Sequence, residues 1–333
     1  MTTFKEIRGQ LIRSVSSDPA NPQLGEIWYN NTIGALKVYK TISAVWVSGG
    51  NLGTGRTQHA GAGTQTAAIT YMGVQPATPT AFGTLTEEYN GSSWTAGGNS
   101  STGRHATASA GTQTAALGAG GYIGPPVFYG NQTEEYNGSS WTAGGNLGTG
   151  RYRGMGFGIQ TAAVAAGGST SGGITDSVEE YNGSTWTAGT VLPSPNFQGG
   201  SDGTLTSGIV FAGSPAPKVA SFTYDGSSWT AVGNLNTYRL AMGSGSAGSA
   251  TSSIAIGGSI PSPFARVGTT ELYDGSTWTT SPATKATLSN ELAGAGTNTA
   301  ALAFSGNIGA GVAPTATEEF TGAFNAIQTL TTS

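Results

Sequence analysis

Nine of the twelve glutamates in this 333-residue chain fall at one recurring place: Glu87-Glu88, Glu134-Glu135, Glu179-Glu180, Glu318-Glu319 and the single Glu271. Paired carboxylates could hydrolyse glycosides, one as acid and one as base or nucleophile, but only if they converge on a single cleft. Here the pairs are spread evenly along the chain, and on a strand two neighbours point to opposite faces. Arginines recur in step with them: Arg56, Arg104, Arg151 and Arg239 each follow a tryptophan (Trp46, Trp94, Trp141, Trp229) by ten residues. The pattern predicts repeated structural ion pairs of these arginines with Glu87, Glu134, Glu179 and Glu271, rather than acid–base chemistry. The fourth unit lacks the arginine and has Phe222 and Thr223 where the acids should be; the sixth keeps its acids without the arginine.

Other chemistry is scarce. The two histidines, His59 and His105, stand at different offsets from their arginines, and a mononuclear metal site needs three or four convergent ligands. Both read as surface or strand-end residues. With no cysteine, a thiolate site or disulfide framework is excluded. No Gly-x-Ser-x-Gly elbow, phosphate loop or calcium loop is present. The expectation is therefore no catalytic residue, no metal, no cofactor and no enzymatic activity. Net charge is −4 without a basic stripe, which argues against a nucleic-acid partner. No apolar run reaches membrane-span length, and the first 25 residues lack a signal-peptide core.

The elements that position these residues are repeats. Thr86–Asn99 and Thr133–Asn146 are identical, TEEYNGSSWTAGGN, and the tag returns at Tyr181–Trp186, Tyr224–Trp229 and Tyr273–Trp278. A worn copy is Phe320–Phe324, and a looser one opens the series with Tyr39 and Trp46. From Trp46 to Phe324 the spacings are 48, 47, 45, 43, 49 and 46, a period that marks stacked supersecondary units. Asn-Gly or Asp-Gly between short apolar runs signals a hairpin in which both turn residues take positive φ. A second hairpin lies upstream of each tag, turning at Gly63–Thr66, Gly111–Thr114 and their equivalents and closing on Gly or Gly-Gly. Four antiparallel strands (a to d) per unit make a propeller blade. Trp46, Trp94, Trp141, Trp186, Trp229 and Trp278 are then packing residues between blades. The fold class is all-β, a β-propeller with an extended N-terminal arm.

The order Gly120-Gly121, Tyr136, Trp141, Arg151 resembles the kelch repeat, over roughly residues 45–325, and implies a propeller without implying any chemistry. The N-terminal stretch Ser17–Pro22 followed by Gly25–Tyr39 is similar to the start of many structural proteins of tailed bacteriophages, especially tail-fibre and tail-associated proteins of marine phages. That resemblance implies a virion component, made in the bacterial cytoplasm and placed on the tail or exterior of the particle. Residues 1–24, with Lys5, Arg8 and Arg13, are expected to form a virion-docking arm that contacts other virion proteins in several symmetric copies. Residues 25–48 would supply strands closing the propeller, and 49–333 the repeats. Seven blades are favoured over six: residues 26–48 would give three strands of a seventh blade, closed by Ile327–Ser333. In the alternative, the strand holding Trp46 completes a six-bladed ring.

The turns a–b and c–d are uniform and share one face. The b–c loops differ in every unit and share the other face with the d–a crossovers. Loops on a rigid scaffold carry binding, and this irregular face holds Phe82, Tyr122, Phe128, Tyr129, Phe264 and Arg266. These are the candidate ligand-binding residues, suited to stacking on sugars. The function this predicts is host-surface glycan attachment by a phage tail fibre or tail-associated propeller. The alternatives are a capsid-decorating or head-fibre protein without receptor role, or a propeller-fold glycan-active enzyme.

Overall fold

A computed structural model describes residues 12–75, 82–215, 219–244 and 250–330. No helix occurs among them. The chain divides into two compact units, residues 45–321 and residues 1–44 with 322–333.

The larger unit contains six four-stranded sheets. Their innermost strands are Ala60–Gly63, Ala108–Thr112, Met155–Ile159, Gly200–Thr204, Gly243–Ser244 and Ala293–Gly296. Each neighbours the next, and the sixth returns to the first, so the sheets form a closed ring. These strands are rich in Gly, Ala and Ser because they converge on the axis. A Cβ on Gly156, for instance, would lie 2.4 Å from the Ser109 backbone nitrogen. Toward the outside of the first sheet come Ala68–Tyr71, Thr86–Tyr89 and Trp94–Ala96. The sixth sheet takes its outermost strand from the other end of the sequence: Val45–Ser48 pairs antiparallel with Thr317–Thr321, placing Trp46 opposite Phe320. Among the described residues the ring thus holds six four-stranded sheets, the alternative count, where the sequence favoured a seventh. The worn tag Phe320–Phe324 has no outer strand of its own, and the Trp46 strand fills that place.

The smaller unit is one sheet, in the order Arg13–Val15, Ile27–Asn30, Ala35–Ile42, Phe324–Thr329. Its first pair is parallel. The tail thus joins residues 26–42 as the sequence suggested, but in a unit separate from the ring, and only Val45–Ser48 of residues 25–48 enters the propeller. Of the expected arm, Arg13–Val15 is a strand, and Arg13 lies 3.9 Å from Glu26. Lys5 and Arg8 lie outside the described residues. Asp18 accepts hydrogen bonds at 2.9 Å from both the buried Trp28 indole and the Asn30 amide. The Asp18, Trp28 and Asn30 of the N-terminal motif are thereby tied together.

Adjacent sheets of the ring are joined by the repeated residues. Within a unit, Tyr and Trp of one tag pack ring to ring, as in Tyr136 and Trp141 at 5.1 Å. Across units, Trp141 donates to Thr86 and Trp186 to Thr133 at 2.9 Å, and Trp46 donates to Thr270 at 3.0 Å. Where Val178 replaces that threonine, Trp229 donates to the Thr190 carbonyl at 2.8 Å instead. Trp141 and Trp278 are buried; Trp46, Trp94, Trp186 and Trp229 are half-buried. Burying such a ring contributes about 2–3 kcal/mol.

The two acids of each pair have different partners. The first meets the arginine: Arg104–Glu134 at 3.1 Å, Arg151–Glu179 at 2.6 Å, Arg239–Glu271 at 2.8 Å, and Arg56–Glu87. All four guanidiniums are buried and also donate to backbone carbonyls, as Arg104 does to Gly120 at 2.9 Å. In the sixth sheet Lys285 stands in, 3.2 Å from Glu318. The second acid accepts from a tyrosine of the following sheet: Tyr136 to Glu88, Tyr181 to Glu135 and Tyr89 to Glu319, each at 2.5 Å, and Tyr224 to Glu180. Burial, then the hydrogen bond to Glu88, pushes the Tyr136 hydroxyl up to about 12.

The tag turn differs from the expected two-residue form. Tyr89 pairs with Trp94 around a four-residue loop in which Gly91 has φ +90° while Asn90 is not in the left-handed region. Asn90 Oδ1 accepts from the Ser92 and Ser93 backbone N–H groups at 3.0 and 2.9 Å. A side chain that bonds the backbone two and three residues on shapes the turn in place of a second positive φ.

Candidate ligand-binding face

At the mouth of the ring, two residues after each arginine position, stand Gln58, Ala106, Arg153, Gln198, Ala241 and Glu291. All six have φ between 51° and 59°, a region that side-chain-bearing residues visit rarely and at a cost of about 1–2 kcal/mol each. The reason is a closed circuit of backbone hydrogen bonds. Each N–H donates to the carbonyl of the preceding sheet's residue, from Ala106 to Gln58 at 2.7 Å through to Gln58 back to Glu291 at 3.0 Å. Six strained residues over-determined by one ring is a feature that elsewhere marks functional sites.

The side chains on this circuit form a network across the axis. Arg153 and Glu291, on opposite sheets, lie 3.4 Å apart. Gln58 Nε2 donates to Glu291 at 2.9 Å. Gln198, with its carboxamide oxygen turned to Arg153, accepts from Nε at 3.3 Å and Nη1 at 3.1 Å. These residues line a cavity of about 120 Å³ at the mouth. A second cavity of about 120 Å³ shares His59, Thr107 and Gly154 with it and is further lined by hydroxyls of Ser109, Ser201 and Ser244.

Beside the mouth runs a chain of aromatic rings. Phe82 meets His105 at 5.0 Å and, edge-on, Tyr122 at 5.5 Å. Tyr122 meets Phe128 at 5.9 Å and Tyr152 at 5.7 Å, and Tyr129 also meets Tyr152 at 5.7 Å. Tyr152 lies under the Arg153 guanidinium, 5.7 Å from its ring centre. The run thus passes from Phe128, which is exposed, to the network at the axis. Elsewhere on the face, Arg266 lies 5.1 Å over the exposed Phe264. It donates to Asn290 at 3.0 Å and Asn307 at 3.2 Å, and Asn307 donates to Glu291 at 3.4 Å.

Of the residues singled out by sequence, Phe82, Tyr122, Phe128 and Tyr129 come together, while Phe264 and Arg266 form a second group that reaches Glu291 through Asn307. The sequence reading missed Gln58, His105, Tyr152, Arg153, Gln198 and Glu291. One signal was available: Glu291 is one of three glutamates outside the repeated pairs. His59 stands at the end of the Ala60–Gly63 strand, and His105 is half-buried in a bridge with Tyr122. His59 is buried, stacks on Phe304 at 5.6 Å and meets Thr70 at 2.7 Å; burial first, then Arg56, brings its pKa down to about 3. Burial, then the Arg153 charge, brings His105 down to about 4. Both are neutral at physiological pH. Among the described residues no group of three His, Asp or Glu converges as a metal site.

No protein-family profile matches the chain, and no curated protein matches it. Solved structures do match. One titled "Structure of YjhT" superposes with a TM-score of 0.66 over 83% of this chain and 99% of that chain, at 13% identity. At that identity the likeness establishes the fold alone: an all-β, kelch-like propeller.

Proposed function

We propose that this chain is a non-enzymatic attachment module of a tailed-bacteriophage particle, a tail fibre or tail-associated protein whose propeller holds host-surface glycan on its irregular face. The observation that carries the binding part is the aromatic run from Phe128 to Tyr152 ending on the Gln58–Glu291–Arg153–Gln198 network. Sugars stack their apolar faces on aromatic rings and share their hydroxyls with amide, carboxylate and guanidinium groups, and this face offers both within one site. The fixed backbone circuit under the network supports the reading, because pre-organised groups lose little entropy on binding. The virion part rests on the likeness of Ser17–Tyr39 to phage structural proteins. On this proposal, residues 1–24, with Lys5, Arg8 and Arg13, contact other virion proteins, and several copies surround one symmetry axis.

Mass spectrometry of purified particles tests the setting: the chain should be present at a fixed stoichiometry. Its absence from the particle removes the virion reading. Presence together with a propeller face covered by other subunits would make it a decorating element without a receptor role.

A further inference from the structure

We infer that Glu291 sets the charge preference of this face: by occupying Arg153 from across the axis, it keeps anionic ligands out and leaves a site for uncharged sugar hydroxyls. The inference rests on the glycan reading above for the identity of the ligand, but not for the behaviour of the charges.

Arg153 has little left to offer an anion. Its Nη2 faces Glu291, its Nε and Nη1 face Gln198, and one face of the guanidinium lies over Tyr152. The pair is largely withdrawn from water, with side-chain exposures of 26% and 13%. A carboxylate or sulfate could reach Arg153 only by displacing Glu291 or by approaching beside it, like charge against like charge. Glu291 also serves the second cation. Asn307 accepts from Arg266 and donates to Glu291, so both arginines of the face lead to one carboxylate. The two histidines nearby add no positive charge at neutral pH. Glu291 thus stands among groups that, without it, would form an anion-binding cluster of two guanidiniums and three amide side chains.

The test compares the wild-type chain with Glu291→Gln and with the double variant Arg153→Gln/Glu291→Gln, which keeps an uncharged network. The probes are inorganic sulfate, read as a shift in Tm, and two polysaccharides, neutral dextran and anionic polygalacturonate, read by calorimetry. Glu291→Gln should gain, at millimolar sulfate, a rise in Tm beyond the general salt effect that the wild type and the double variant share. Its ratio of polygalacturonate to dextran affinity should rise at least about tenfold, and the gain should fade with added salt. A sulfate response as strong in the wild type, or none in a folded Glu291→Gln, overturns the inference. A sulfate response in Glu291→Gln, with no polysaccharide bound by any variant, upholds the role of Glu291 and removes the glycan reading.

Discussion

Removing the same atom from two equivalent tyrosines should move stability in opposite directions. Tyr136 donates its hydroxyl to Glu88 of the preceding sheet at 2.5 Å. Tyr273 occupies the same place in the fifth sheet, three steps further round, but the fourth sheet carries Thr223 where the acceptor should be, and the buried Tyr273 hydroxyl has no partner among the described residues. The next step is matched again: the fifth sheet has Leu272 at the acid position, and the sixth has Phe320 in place of tyrosine. A hydrogen bond to a charged group contributes about 1.5–3 kcal/mol, and a buried unpaired hydroxyl costs about 1–3 kcal/mol. Tyr136→Phe should therefore destabilise by about 2 kcal/mol, whereas Tyr273→Phe should be neutral or stabilising by up to about 1 kcal/mol. For a chain of this size the two variants should differ by roughly 5 °C in Tm, at about 2 °C per kcal/mol. Urea unfolding midpoints of both variants give the free-energy difference directly. If Tyr273→Phe loses as much stability as Tyr136→Phe, the tyrosine–glutamate bond is not what distinguishes the two seams, and the reasoning fails.

Arg104→Ala should cost about 3–5 kcal/mol in urea unfolding, because it strands Glu134 beneath the surface; unchanged unfolding would refute the pairing as a stabilising element. Deleting residues 1–48 removes the outer strand of the sixth sheet, so the remaining repeats should lose cooperative unfolding and bind the hydrophobic dye ANS; an unaltered transition would contradict closure by Val45–Ser48. Asp274 is held down to about 2, below its ordinary 3.8, by backbone N–H bonds from Thr277 and Ser276 and then by the Ser276 hydroxyl. A depressed carboxylate contributes stability that is complete above its unfolded pKa and lost as pH falls through the folded one. Asp274→Asn, the residue that three other tags already carry, should thus flatten the loss of Tm between about pH 4 and pH 2 while leaving neutral-pH Tm unchanged; an identical acid profile would remove Asp274 from the acid-sensitive groups.

The repeat was legible because its residues are fixed by contacts made once per sheet: the Trp–Thr bonds, the Arg–Glu pairs and the Asx-type turn each need one residue type at one offset. Ring closure was less legible, because it depends on which of two distant segments accepts Val45–Ser48. The deciding contact, Trp46 with Phe320 at 5.1 Å, joins opposite ends of the chain. The worn tag at Phe320 was the mark of it, as a sheet lacking its own outer strand must borrow one. The mouth was hidden for a different reason. Gln58, Ala106, Arg153, Gln198, Ala241 and Glu291 share a backbone conformation imposed by the hydrogen-bonded circuit, not by residue type, and none is the Gly or Asn that announces positive φ. Where no one residue type recurs through all six units, the tag periodicity does not single a position out; the aromatic loop residues were found only because they break it. Lys285 escaped for a related cause, since it reaches Glu318 from the crossover rather than from the arginine position, which Ser289 holds.

The central claim is that the irregular face binds glycan through its aromatic run. The direct measurement is calorimetric titration of purified capsular polysaccharide and lipopolysaccharide O-chain from the host bacterium into the wild-type chain and into Tyr122→Ser/Phe128→Ser/Tyr129→Ser. Loop substitutions of this kind leave the ring folded, which an unchanged far-ultraviolet spectrum and unfolding midpoint would verify. The account predicts saturable binding by the wild type and a loss of at least about tenfold, about 1.4 kcal/mol, in the triple variant. Equal binding by both proteins, or binding by neither, would contradict it.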